Sequence, residues 1–294
     1  DVTLLPAHFV RPYRKGNKTD KADAKAILEA ARNEEILPVP IKSVDQQSIT
    51  TLHRLRSRWM ANRTSRINTV RGLLRELGMF IPMGSNRVVP LIRQWIHEPD
   101  SKIPFALRSI LEETCAEIVQ MEDRIRLAEI QLNALCKDDR VVERLRTIPG
   151  FGLLTASALI AFMSDAHRFP SRRHFASALG LTPKEYSSGS RRRLGAISKR
   201  GNTYLRMLLI HGARTVLWNS KRIDHPDRLR QWALDLQATR GHNIAAVPLA
   251  NKLARIAWVV WTRDVSFKEV SIDKLISNPI RQTAWRDITG WRPV

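Results

Sequence analysis

The sequence has two cysteines, Cys115 and Cys136, in 294 residues. That is too few for a disulfide scaffold or a cysteine-built zinc site, and it fits a reducing cytosol. Uninterrupted apolar runs of membrane-spanning length are missing. The nearest candidate, Ile244 to Trp261, is broken by Asn251, Lys252 and Arg255, so no membrane partner is expected. There is no secretory leader pattern, no internal repeat and no Met at position 1. Acids are also scarce: 28 Asp plus Glu stand against 49 Lys plus Arg, a formal charge of +21. An imbalance of that size implies a polyanionic partner. The cations are spread over several segments, which favours nucleic acid over a membrane surface.

What is present is organised around Gly180–Arg206. Thr182-Pro183 and the Ser187/Ser188/Gly189/Ser190 cluster cannot continue a helix, so the stretch reads as a long loop. From Lys184 to Arg206 it carries seven cations and one anion, Glu185. Arginines 191, 192 and 193, with Lys199 and Arg200, are suited to phosphate oxygens. A serine among them could attack phosphorus, the cations offsetting the transition-state charge. The same composition also fits a solvated basic loop.

Elsewhere the spacing predicts helices. Residues 1–10 read as a short strand, followed by a basic loop and a helix from about Lys21 to Asn33 with Ala22, Ala26, Ile27 and Ala30 buried. Asp20 stands at the N-cap position, and Asp23 lies on the same side of the helix start. Helix-dipole preference alone would explain both. A long basic helix spans Asp45–Met79, with Arg63 and Arg66 among seven arginines suited to tracking phosphates, or to a solvated face. A short helix is expected at Val88–His97. Leu107, Leu111, Thr114, Ile118, Met121, Ile125, Ala128, Leu132 and Leu135 form a 4-3-4-3 seam of coiled-coil type, pairing with the preceding helix or with a second protomer. Leu145 to Leu159 fits a helix-hairpin-helix whose Gly150 and Gly152 let the backbone approach a phosphate, or an αα-hairpin packed for structure alone. Apolar helices follow at Thr203–Trp218, with His211 as a core histidine, and at Ile244–Trp261; Asp227–Ala238 reads as a further helix. Trp285 and Trp291 suggest a tail that packs somewhere.

Gly180-Leu181-Thr182-Pro183, Tyr186-x-Ser188-Gly189 and Ser198-Lys199-x-Gly201 through Leu205-Arg206 resemble the C-terminal domain of insertion-sequence-110-type transposases, including their 1111 subgroup. Asn17-Lys18-Thr19-Asp20-x-x-Asp23-Ala24 resembles the segment that supplies the last two acids of that family's RuvC-like Asp-Glu-Asp-Asp tetrad. The resemblance covers residues 1 to about 262. It implies a mainly α chain: a remnant of an RNase-H/RuvC-like α/β domain at 1–40, a basic helix and coiled-coil linker at 41–138, and a helical transposase domain at 139–294. It further implies Ser188 as nucleophile, Asp20 and Asp23 as ligands of Mg²⁺, and Lys18 beside them on the nucleic acid. It implies DNA and an element-encoded guide RNA as partners, a homo-oligomer (dimer or tetramer) and a cytoplasmic, nucleoid-associated location. The family's first Asp and its Glu would lie upstream of Asp1. The chain as written is therefore expected to be inactive in strand cleavage. A non-catalytic nucleic-acid-binding remnant of a decayed transposase and a RuvC-like junction nuclease are the alternatives.

Overall fold

The computed structural model describes residues 2–36 and 38–269. Trp285 and Trp291 lie outside the described residues. The fold is mainly helical, with a single two-stranded sheet among the described residues. The expected strand at 1–10 is replaced by a one-turn helix, α1 (Ala7–Val10), and a 3-10 turn at Arg11–Tyr13. Pro12 fits the opening of that turn and offers no donor to a strand. Only Leu4 keeps an extended role, in an isolated bridge with Val39.

Helix α2 (Asp20–Arg32) begins one residue earlier than its apolar stripe suggests. Its cap is Thr19, whose hydroxyl accepts from the Ala22 amide, so Asp20 is the first helical residue and not the N-cap. Ala26 and Ala30 are buried, but Ile27 is exposed. The α-helical period turns Ile27 away from the 26/30 face.

Helix α3 (Val44–Glu76) opens on a reciprocal capping box between Ser43 and Gln46. It closes on a Schellman turn: the Gly78 amide bonds the Arg75 carbonyl and the Met79 amide bonds the Leu74 carbonyl. Gly78 takes φ +72°, a left-handed value favouring glycine. Helix α4 (Val88–His97) has its predicted bounds, and α5 (Phe105–Leu135) returns antiparallel along α3. On α5 the buried residues are Leu111, Cys115, Ile118, Ile125, Ala128 and Leu132. Cys115 takes the place expected for Thr114, and the end residues Leu107 and Leu135 stay exposed. The partner of this face is α3, with α4 against its first half; Ile67, Val70, Leu74, Val88, Ile92, Leu111 and Ile118 form a core of their own there.

The main core lies beyond. Helix α6 (Arg140–Arg146) is capped by Asp139 and α7 (Leu153–Met163) runs through the centre. Nearly every α7 side chain is apolar, so the helix is buried on all sides rather than along one stripe. Around it sit α8 (Arg172–Ala178), α9 (Thr203–Ser220), α10 (Arg228–Arg240) and α11 (His242–Arg263). By length and composition α11 could cross a membrane, yet most of it is buried core. His211 on α9 is exposed, not a core histidine, because α9 buries the face of Leu205, Leu209, Ala213, Val216 and Leu217.

The arm formed by α3 and α5 is joined to this core by a buried histidine. His53 of α3 lies 3.0 Å from Ser157 Oγ and 3.0 Å from Tyr204 Oη. Ser157 donates its only proton to the Leu153 carbonyl, so it accepts from His53 Nε2–H, and Nδ1 accepts from Tyr204. The ring is thus held neutral. Burial, then the charge of Arg56, pushes its pKa down to about 4. The unfolded chain takes up this proton near pH 6.5, so the stabilisation is full above that value and is lost as pH falls towards 4. Going from pH 7 to pH 4.5 should therefore remove about 2–3 kcal/mol of folding stability through this residue. Denaturant midpoints of the protein and of His53→Gln at both pH values measure it; an equal acid loss in both would refute the assignment.

Candidate active site and nucleic-acid interface

The stretch expected to be a long loop is a β-hairpin. Strands β1 (Pro183–Glu185) and β2 (Leu194–Ile197) pair antiparallel, and the ladder continues through Tyr186–Arg193 to Ser188–Arg191. Gly189-Ser190 is the two-residue turn at the tip, with Gly189 at φ +55°. Strands of three and four residues are too short to show an alternation. Gly195 leaves room for the Tyr186 ring on the neighbouring strand.

The base of the hairpin is tightly fixed. Gly180 ends α8 in a second Schellman turn, its amide on the Ser177 carbonyl and the Leu181 amide on the Ala176 carbonyl. Gly180-Leu181-Thr182 is thus a helix stop followed by the first residues of the hairpin. The Ser198 amide bonds the Thr182 carbonyl at 2.7 Å, and the Lys199 amide bonds the Gly180 carbonyl at 3.2 Å. A Cβ on Gly201 would stand 1.9 Å from the Ala178 carbonyl oxygen. Arg206, one of the seven cations counted in the stretch, is buried. Its guanidinium donates to the Leu179 and Arg200 carbonyls and to Thr203 Oγ1. Asn202 caps α9 just before it.

The tip is different. Ser188, Arg191, Arg192 and Arg193 are all exposed. Ser187 is tied down: its hydroxyl donates to Glu185 Oε1 at 2.7 Å and accepts from the Arg193 amide at 3.1 Å. Ser188 contributes its backbone to the bridge with Arg191, while no hydrogen bond among the described residues holds its hydroxyl. Arg192 lies 3.4 Å from Glu185. Lys199 and Arg200 are exposed at the base, Lys199 with φ +55°.

The remaining predicted residues occupy other neighbourhoods. Asp20 is exposed at the start of α2, and Asp23, one turn on, pairs with Arg14 at 3.4 Å; Lys18 is exposed just before them. No hydrogen bond or ion pair among the described residues joins α2 to the hairpin. No cluster of three or more potential metal ligands occurs among the described residues. Gly150 takes φ +80° and packs against Gly212 of α9, where a Cβ would meet the Gly212 carbonyl oxygen at 2.5 Å. Its close approach is therefore to another helix. Gly152, by contrast, is exposed with open space at its Cα, and it precedes α7 without a side-chain cap. Arg63 and Arg66 reach across to Glu122 at 3.3 Å and Glu117 at 2.6 Å on α5, and Arg56 reaches Glu129. Arg71 donates to the Pro82 and Gly84 carbonyls.

Two family models match the chain: the IS116/IS110/IS902 transposase family over residues 142–227, and the DEDD transposase domain of the IS110 type over residues 3–79. A probable family 20 transposase of Pseudomonas aeruginosa is 40% identical over 91% of this chain and 79% of its own length. The transposase for insertion sequence element IS1111A of Coxiella burnetii is 36% identical over 90% of the chain and 72% of its own length. The transposase for element IS1328 of Yersinia enterocolitica is 36% identical over 91% and 79%. The chain belongs to the IS110/IS116/IS902 transposase family.

The two matched regions fall on distinct parts of this transposase. Residues 142–227 run from α6 through α7, the hairpin and α9 to the cap of α10, and so contain Ser188 and the whole clamp at the hairpin base. Residues 3–79 contain Asp20, Asp23 and the whole of α3. Sequence reasoning missed the clamp by Arg206 and the His53 link. A cation or histidine set among buried apolar helix positions was the available signal for both.

Proposed function

We propose that this transposase acts as an RNA-guided DNA recombinase in which Ser188 is the nucleophile. The observation that carries the proposal is the contrast at the exposed hairpin tip between Ser187, whose hydroxyl is tied by two hydrogen bonds, and Ser188, whose hydroxyl has none among the described residues and lies beside Arg191–Arg193. Ser188 Oγ forms a bond to a DNA phosphorus as the bond from phosphorus to one bridging sugar oxygen breaks. The serine gives up its proton and the departing sugar oxygen takes one up. The product is a phosphodiester of Ser188, whose reversal by another strand's hydroxyl completes strand exchange. The three arginines hold the phosphate oxygens and offset their charge. The clamped base keeps the tip in one place relative to α8 and α9.

Asp20 and Asp23 offer exposed or half-exposed carboxylates one helical turn apart. Mg²⁺ commonly binds one or two carboxylates and completes its shell with water and substrate phosphates, so this pair fits as part of a Mg²⁺ site. When bound there, such an ion would supply Lewis-acid polarisation of the phosphate. For Asp23 to take part, its pair with Arg14 must open. Because α2 and the hairpin occupy separate neighbourhoods, acids and serine would meet through a dimer or tetramer, each active site drawing on two chains. Gly152 and the α7 amides would contact a phosphate as the second half of a helix-hairpin-helix. The proposed units are 1–40, 41–138 and 139–294, working on DNA with an element-encoded RNA in the bacterial cytoplasm. Trapping of a covalent protein–DNA adduct on a denaturing gel by a protein carrying all four acids of the tetrad, lost on Ser188→Ala, is the deciding experiment.

Binding itself should be steeply salt-dependent. Six cations are exposed at the hairpin, Lys184, Arg191, Arg192, Arg193, Lys199 and Arg200, and contacts to as many phosphates give a log–log slope of about 5 in the dissociation constant. Replacing Arg191, Arg192 and Arg193 by Gln should lower that slope by about 2–3. Replacing Arg63 and Arg66 should change it far less, since both already hold glutamates of α5. A flat salt titration, or equal losses from the two sets, would overturn this distribution of contacts.

A further inference from the structure

Two arginines are buried among the described residues, Arg206 and Arg255, each 8% exposed. They differ in their surroundings. Arg206 gives its protons to two carbonyls and a hydroxyl, as a buried guanidinium must. Arg255, on the buried face of α11, has Nε and Nη2 without any hydrogen-bond partner. A buried cation with two unmade hydrogen bonds is costly, and an anion brought to it would lower that cost.

The neighbouring charges make the need greater. Those acting on Arg255 come from Arg172 and Arg173 of α8, and with burial they push it down to about 10, leaving it charged at neutral pH. Arg172 also feels Arg263, and Lys252, one turn before Arg255, is pushed down to about 8 by burial and by Arg255. Lys252 stands over the Trp232 ring at 3.8 Å. Helix α8, which carries Arg172 and Arg173, packs against α11, so cations of both helices act on one buried, partly unsatisfied guanidinium.

We infer that the α8–α11 face around Arg255 is a binding site for a phosphoryl group, held by the Arg255 guanidinium with Arg173 at its rim. Guanidinium groups match phosphate oxygens in geometry and charge, and several around one anion relieve their mutual repulsion. The phosphoryl group can be a backbone phosphate of bound nucleic acid or free inorganic phosphate. The site does not depend on the role of Ser188, and a Ser188→Ala protein keeps it.

The test uses the whole chain and two variants, Arg255→Met and Arg173→Gln. Met has about the volume of Arg without its charge, so Arg255→Met should raise the melting temperature in anion-poor buffer. In the unaltered protein, millimolar inorganic phosphate should raise the melting temperature beyond sodium chloride at matched ionic strength, or a short oligonucleotide should do so if the backbone is the source. Both variants should weaken the effective ligand at least tenfold, while Ser188→Ala should not. If Arg255→Met lowers stability in anion-poor buffer, Arg255 already has a partner and the inference fails. It fails equally if neither phosphate nor oligonucleotide stabilises the protein, or if both variants respond as the unaltered protein does. Since Arg173 is exposed, its variant should fold even where Arg255→Met does not, and an unchanged response from it alone refutes the rim assignment.

Discussion

In a protein carrying all four acids of the tetrad, Ser188→Ala should abolish the covalent protein–DNA adduct while leaving affinity for nucleic acid within about twofold. The hydroxyl is one uncharged group beside three guanidiniums, and the electrostatic part of binding is carried by the latter. Its loss removes the attacking oxygen and so acts on chemistry, not on ground-state binding. Ser187→Ala is the informative comparison. Ser187 joins Glu185 to the Arg193 amide across the hairpin, so its loss should loosen the tip and slow adduct formation by about tenfold, without abolishing it. The assay combines the protein with its element's DNA ends and transcripts. An adduct that survives in Ser188→Ala, or disappears in Ser187→Ala alone, would sink the assignment of the nucleophile. Cleavage unaffected by either substitution would favour a junction-nuclease reading, and a protein that binds but never forms an adduct would favour a purely binding role.

Gly201→Ala should destabilise the protein by about 3 kcal/mol or more, enough to threaten folding of the 142–227 region. The new methyl would overlap the Ala178 carbonyl oxygen at 1.9 Å, and the residue sits at φ +77°, where an L side chain is strained. Neither strand of this crossing can retreat: Ala178 belongs to α8, and Asn202 next to Gly201 caps α9. Gly189→Ala is the matching control. It also has positive φ, at +55°, but its surroundings are open, so only backbone strain of about 1–2 kcal/mol is expected. Urea midpoints of the two variants measure the difference; similar losses would show that the crossing at the base is softer than described.

Much of the helical fold was legible because its elements are long and periodic. The bounds of α4 were read directly, and α3 and α5 came out within a few residues of their apolar spacing. The hairpin was not legible. Its strands are too short for an alternation, and the Ser/Gly composition that marks its turn equally marks a loop. The ion pairs of the basic face of α3 were not legible for a different reason. Whether Arg63 or Arg66 is available to a phosphate depends on Glu122 and Glu117, more than fifty residues away, and only the antiparallel return of α5 puts them in reach. The serine assignment was legible only through resemblance; the structure adds a physical distinction between Ser187 and Ser188 that composition could not offer.

The antiparallel course of α3 and α5 means that the chain leaves the main core and comes back to it at one place. A helix of 33 residues is about 50 Å long, and because His53 is still within the main core, the far end of α3 stands about 35 Å beyond it. The arm therefore behaves as a spacer whose length is written twice. Removing two turns from α3 alone would strand the glutamates of α5 opposite the wrong arginines. Removing two turns from both, at facing positions, would leave every remaining pair in register and shorten the reach by about 10 Å. Relatives with longer or shorter arms should accordingly differ by matched insertions at facing positions, whose separation along the chain falls from 73 at Arg56–Glu129 to 51 at Arg66–Glu117.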